Sequence, residues 1–473
     1  MKSIPKSSLK SLSLAHRPLV RGTLILTITG LITRLIGFFY RIYLSRLFGE
    51  EGMGIYQLLA PVLALSFSLC AAAYQTAISK FVAEYTGQNR RQFLPLYSGL
   101  LLSLPLSLLA LYILYGNADL IAVKLLLEPR TAPMLRILAF SLPFSSVHAC
   151  INGYFYGVKR TAPPAVAQLL EQLTRVGCVY LTTSHILSLG KTPSINVAVF
   201  GLTIGEMMSM CVCLFALFHT CQTDRTAPKA AKCIPLSGSA VSGTSILRPA
   251  ILRYPQRLLL FPILRMALPL TLNRIVLNLL QSIESVSIPA RLRLYGYDNA
   301  TALSVYGVLT GMAMPMIFFP NALTNSVSVL LLPLISESAA KGDMKAVRSA
   351  VLRTIKFCAA MGITFLTFFL LTGHLIGEML FDSALAGHFI TTLSFLCPFL
   401  YLDVTLSSVL QGLGKAGTIF FMNVLALLIR LGFVFLAVPQ AGITGYLWGI
   451  LSSQMILSLL YLLCLRRFLR KHA

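Results

Sequence analysis

Along most of the chain, apolar residues fill windows of about twenty positions, the length that carries a helix across hydrocarbon. Twelve such windows fall near 22–40, 56–79, 94–115, 134–157, 165–187, 196–219, 262–288, 304–333, 357–377, 389–411, 416–437 and 443–465. In lipid every backbone N–H and C=O must find a partner within the protein, so runs of this length predict helices. The apolar run at 119–128 is too short to cross and predicts a helix inside a loop. Composition agrees, with 56% hydrophobic and only 11% charged residues. Soluble domains carry about 25% charged residues. So little charge cannot cover a water-facing surface, which excludes a soluble enzyme, a nucleic-acid-binding domain and a disordered scaffold. The 32 Gly and 23 Pro suit interrupted helices better than a membrane barrel. The expected class is an all-α integral membrane protein with about 12 spans.

Charge position fixes the expected orientation. Against 15 Asp+Glu stand 39 Lys+Arg, a formal net charge of +24. Alternate gaps between the spans hold most of the bases, beginning with Lys2, Lys6, Lys10, Arg17 and Arg21 and ending with Arg466, Arg467, Arg470 and Lys471. That side carries 26 of them, and the opposite loops hold eight, Arg41 and Arg46 included. Basic loops stay cytoplasmic, so both termini are expected there. The apolar run after the basic tail carries Arg34 and lacks an A-x-A-like site, so no cleaved leader is expected. The ten Cys show no metal-ligand spacing.

The chain repeats itself at an offset of 255: Phe140, Pro143, Phe144, Gly157, Arg175 and Gly177 recur as Phe395, Pro398, Phe399, Gly412, Arg430 and Gly432. Six spans separate equivalent positions, an even number, so the two halves share one orientation. The expected organisation is a basic tail (1–21), a six-helix lobe (22–219), a cytoplasmic linker (220–261), a second parallel six-helix lobe (262–465) and a second basic tail (466–473). Substrate sites in such proteins lie between the lobes, and transport is rocking of one against the other. Pro143 and Pro398 fall within spans at equivalent places and are candidate helix bends.

Ionisable residues within spans are costly and mark cavities or pairs. Glu171 and Arg175 stand four apart on one helix face and can neutralise each other. Glu206, Glu284 and Asp403, with Glu171, are candidates for coupling an ion, or for pairing with arginines across helices. Arg34 and Arg274, in the first helix of each lobe, have no acidic residue at helical spacing. Guanidinium donates in a planar fork that fits phosphate oxygens in pairs. The candidate substrate-binding set is therefore Arg34, Arg41, Arg274, Arg175 and Arg430, and its expected ligand is an anionic amphiphile. No phosphate-binding glycine loop or zinc motif is present, and no metal or cofactor is expected.

The runs Gly22–Thr27, Thr33–Arg41, Leu44–Gly49, Gly52–Tyr56 and Gln75–Ser79 resemble the stage V sporulation protein B family. That family lies in the polysaccharide-transporter branch of the multidrug/oligosaccharidyl-lipid/polysaccharide superfamily. The resemblance implies two six-helix lobes of MATE-like plan around a central cavity. It also implies a flippase that carries an undecaprenyl-pyrophosphate-linked precursor across the cytoplasmic membrane for spore-cortex peptidoglycan, as in related lipid II flippases. The first-helix motif of those relatives is similar to Arg34, Gly37, Phe38, Arg46 and Gly49, whereas Ser66 and Phe67 stand where their second helix has an arginine pair. The implied partners are a lipid-linked oligosaccharide and membrane lipids, with no nucleic acid. Three other readings stay open: a cation-coupled drug exporter of the same fold, a membrane-embedded transferase, and a non-transporting scaffold.

Overall fold

The computed structural model describes residues 6–87, 93–226 and 259–471. The linker expected at 220–261 falls largely outside them, as do the first five and last two residues. The described residues form helices joined by short turns. In chain order these are α1 (Lys6–Gln57), α2 (Ala60–Phe67, continuing through Ala73–Gly87), α3 (Phe93–Gly116), α4 (Ala132–Ala139 and Ser141–Gly157), α5 (Ala162–Ser188) and α6 (Asn196–Thr226). Then come α7 (Leu260–Tyr295), α8 (Asn299–Gly307, Met314–Phe318 and Asn321–Ala340), α9 (Met344–Phe381), α10 (Ala384–Leu393 and Cys397–Gly412), α11 (Ala416–Leu436) and α12 (Ile443–Lys471).

Among the described residues, 10 helices are long and apolar enough to cross a membrane, or 11 when the bent α4 counts as one span. The expectation of twelve exceeds this by α5. Its 27 residues suffice for length, but Gln168, Glu171, Gln172 and Arg175 make it too polar to qualify by composition. The first span also runs further than its apolar window, to Gln57, with a kink at Gly49 (φ 70°). That backbone geometry suits a residue without Cβ. Arg41 and Arg46 therefore lie within a helix, not in the outer loop expected for them.

Helix irregularities follow from individual residues. The two parts of α4 meet at 43°, and Pro143, in the first turn after the break, has no N–H to offer Ala139. Pro398 takes the matching place in α10, after the 3-10 turn Ser394–Leu396. In α8 a π turn at Val308–Ala313 precedes Pro315, whose ring cannot sit against the carbonyl of residue 311 in a regular ladder. The π turn of α2, Ser68–Ala72, frees the carbonyl of Cys70, and the Ser103 hydroxyl donates to it at 2.9 Å.

The cores show how the halves meet. One core is common to both, joining Leu44, Met53 and Leu58 of α1 to Leu303 and Leu309 of α8 and to Phe381 and Phe389 beyond. At the opposite end, where the basic loops lie, there are two separate cores. One holds Ile78, Tyr154 and Phe155 with Ile263 and Ala267 of α7, and the other holds Ile335, Val351, Leu410 and Tyr461. The halves are thus fused at the end poor in basic residues and parted between α1 and α8 at the basic end.

Candidate functional site

The fused end is a built seal. Arg46 donates through Nε to the carbonyl of Leu380 (2.9 Å) and through Nη2 to that of Met379, two acceptors left open at the C-terminus of α9. The Ser383 hydroxyl donates to Glu50 (2.5 Å), and Asn299 Nδ2 donates to Glu128 (2.9 Å). Glu128 is also gripped by Arg130 (2.6 Å), which reaches Glu51 at 2.8 Å. Burial alone would push the Glu128 carboxyl up, but the bonds from Arg130 and Asn299 outweigh it and hold it below the usual carboxylate range. A second seam joins α7 to α2, where Asn278 Nδ2 donates to the Ser68 hydroxyl at 2.6 Å.

Next to the seal, α1 and α8 part around a cavity of about 380 Å³. It is lined by Arg34, Gly37, Phe38 and Arg41 from α1, and by Pro315, Phe318, Phe319, Asn321 and Asn325 from α8. Arg34 and Arg41 are seven residues apart, two helical turns, and so share one face. Gly37 stands between them with open space where a Cβ would be. Among the described residues neither guanidinium has an ion-pair partner. Phe38 and Phe319 close one side, their ring centroids 5.2 Å apart. The buried Oδ1 of Asn321 accepts no hydrogen bond, so this wall also offers an unused amide. Two unpaired cations and a spare amide beside aromatic rings suit an anion with an apolar attachment.

The remaining candidate residues lie elsewhere. Arg274 is exposed on α7 and does not line this cavity. Arg175 is bound to Glu171 at 2.8 Å, and Arg430 to Glu284 at 3.2 Å, where the Tyr446 hydroxyl also donates (2.9 Å). Both arginines are thereby neutralised. Glu206 meets His148 at 2.8 Å, and Asp403 accepts from Ser458 (2.6 Å) and Gln454 (2.9 Å), so neither carboxylate pairs with Arg274 or Arg430. A ligand atom each from His148, Glu171 and Glu206 lies within 4.8 Å of the others, the one such group among the described residues with metal-binding composition. Arg175 on Glu171 disfavours a divalent ion there, since two carboxylates and one guanidinium leave a single negative charge. Arg430 also borders a second cavity of about 410 Å³ inside the C-terminal half, which shares Phe318 with the first.

Asn321 and the cross-half contacts of the seal are not legible in the sequence, which offers Arg46 only as a motif residue and His148 only as an interior polar contact. His148 had one available signal, because the offset of 255 places it on Asp403. The cross-half contacts had none, being set by helix crossing and not by spacing along the chain.

This arrangement, two halves fused at one end beside a charged cleft in a body of apolar helices, defines a multi-pass cell-membrane transporter of the multidrug/oligosaccharidyl-lipid/polysaccharide superfamily. The chain belongs to the polysaccharide biosynthesis protein family, matching it over residues 19–339, and residues 269–436 match the MatE family. It is 27% identical to stage V sporulation protein B of Bacillus subtilis (strain 168), over 95% of this chain and 83% of that one. It is 23% identical to the lipid II flippase MurJ of the same organism, over 72% of this chain and 61% of that one. Its fold is similar to a multidrug resistance MATE family transporter in an inward-facing conformation, with a TM-score of 0.69 at 17% identity, covering 93% of this chain and 95% of the other. It is also similar to lipid II flippase MurJ in an inward closed conformation, with a TM-score of 0.68 at 15% identity, covering 94% and 87%. Among these relatives and neighbours, the MATE protein is named a transporter and MurJ a flippase.

Proposed function

We propose that the chain is a flippase for an undecaprenyl-pyrophosphate-linked cell-wall precursor, serving spore-cortex peptidoglycan, and that it catalyses no covalent chemistry. The observation that carries this reading is the pair Arg34 and Arg41, two guanidiniums without acidic partners on one cavity. An intramembrane charge left unpaired is expensive, and a diphosphate that enters with its tail in lipid removes that cost. The names of the relatives, a sporulation protein and a lipid II flippase, agree with it.

In this reading α5 completes twelve spans, both termini lie in the cytoplasm, and residues 22–219 and 262–465 are parallel lobes joined by the linker 220–261. The seal is then extracytoplasmic and the cavity faces inward. Arg274, Arg175 and Arg430 serve the headgroup only in other states of the cycle, when rocking changes their surroundings. Pro143 and Pro398 let α4 and α10 bend as the lobes move. An inside-negative potential favours outward movement of the anion by about 2.3 kcal/mol per charge per 100 mV.

A second reading, a cation-coupled exporter, is favoured by the buried carboxylates Glu284 and Asp403 and the partly buried Glu171 and Glu206. Expression of Arg34→Ala/Arg41→Ala in a spore-forming host that lacks its own copy separates the two. At normal membrane levels, lost cortex with accumulated lipid-linked precursor supports the flippase. Normal cortex removes the arginine mechanism.

A further inference from the structure

The second cavity is walled mainly by aliphatic side chains, among them Leu396, Leu400 and Leu427, with three carboxamides set into them: Gln281 of α7, Asn423 of α11 and Gln454 of α12. Its about 410 Å³ lies in the range of small-molecule sites. The carboxamides have capacity to spare. Asn423 accepts the Tyr461 hydroxyl through Oδ1 (3.2 Å), which leaves its amide N–H groups free. Gln454 donates through Nε2 to Asp403 (2.9 Å), which leaves its carbonyl oxygen free. Gln281 makes no hydrogen bond among the described residues. Two of the three amides are thus oriented by partners behind the wall, one presenting donors and one an acceptor.

Charge separates this cavity from the first. Its cation, Arg430, is held by Glu284 at 3.2 Å, and Asp403 sits behind Gln454 and Ser458, so the wall offers neither a free cation nor a free anion. A polyprenyl tail would leave the amides unsatisfied at a cost. A second phosphate would find no unpaired guanidinium. A neutral, polyhydroxylated group fits, because it supplies donors and acceptors together with apolar C–H faces.

We propose that this cavity is a saccharide subsite, in which Gln281, Asn423 and Gln454 select the sugar portion of the transported headgroup. Phe318 walls both cavities, so a diphosphate between Arg34 and Arg41 directs its next group past this ring into the C-terminal half. This inference rests on the flippase reading and names the part of the molecule that the C-terminal half reads.

The test compares two probes on the purified full-length protein in lipid nanodiscs: undecaprenyl pyrophosphate without sugar, and lipid II. Wild type should bind lipid II about tenfold more tightly, the worth of one or two net hydrogen bonds. Gln281→Leu, which removes a side chain with no partner and so leaves folding intact, should reduce that preference to about threefold. Adding Asn423→Leu should abolish it, and in both variants affinity for the bare pyrophosphate should stay unchanged. A wild type with no preference, or a Gln281→Leu protein that keeps the full preference, overturns the saccharide subsite. Arg34→Ala/Arg41→Ala, by contrast, should weaken both probes equally. If it weakens neither, the flippase reading fails, whatever the sugar preference.

Discussion

Gly54 of α1 and Gly307 of α8 touch backbone to backbone at the seal. A Cβ on Gly54 would run into the carbonyl oxygen of Leu303, and one on Gly307 into the carbonyl oxygen of Glu50 and the amide nitrogen of Gly54. Small residues allow membrane helices to approach this closely. That approach lies within the shared core, at the end where Arg46 grips α9.

Gly54→Ala and Gly307→Ala should therefore loosen the seal. Overpacking costs about 1–3 kcal/mol, enough to shift a balance between sealed and open states by about fivefold to a hundredfold. With Ser45→Cys as reporter, labelling by a membrane-impermeant thiol reagent from the extracytoplasmic side should rise in either variant. Unchanged labelling would remove the glycine contact from the gating account.

Acid should weaken the same seal. The carboxyl of Glu128 is held below its ordinary value of 4.5 in the folded state. Its contribution is then fully present above that value and is lost as pH falls through the lowered one. Thermal stability and sealing should both decline below about pH 4.5. Glu128→Gln keeps the shape but cannot titrate, so its melting temperature should fall less steeply over that window.

The Glu284–Arg430 pair (3.2 Å) predicts an asymmetry between single and double substitution. Removing one partner leaves a buried charge alone, at a cost of about 3–5 kcal/mol. Glu284→Gln or Arg430→Met should each lower the melting temperature, and the double variant should recover part of the loss. A double variant as unstable as the sum of the singles would mean that the two groups do not act together.

The cluster of His148, Glu206, Glu171 and Arg175 carries one net negative charge while the imidazole is neutral, and none once it is protonated. A proton gradient should therefore change the transport rate of wild type and leave His148→Gln unaffected at equal protein level. If His148→Gln responds as wild type does, coupling lies elsewhere, with Asp403 the next candidate.

Much of the fold is written in the pattern of the chain. Apolar windows locate most helices because hydrocarbon imposes a minimum length, and the repeat places Pro143 and Pro398 at matching positions, each just after a break in regular α-helix. What the pattern hides is contact. Arg175 and Arg430 read as cavity residues alongside Arg34, yet the partner of Arg430 is Glu284, 146 positions away, and no spacing rule reaches that far. Arg41 reads as an outer-loop base because α1 continues beyond its apolar window to Gln57. Arg274 reads like Arg34 from its helix alone, but it is exposed on α7 and does not line the cavity.

The most direct test of the central claim is transport in proteoliposomes with lipid II on one leaflet, comparing wild type with Arg34→Ala/Arg41→Ala at matched incorporation. The account predicts that wild type moves lipid II to the opposite leaflet and that the double variant falls to the rate of empty vesicles. Equal transport by both would contradict it.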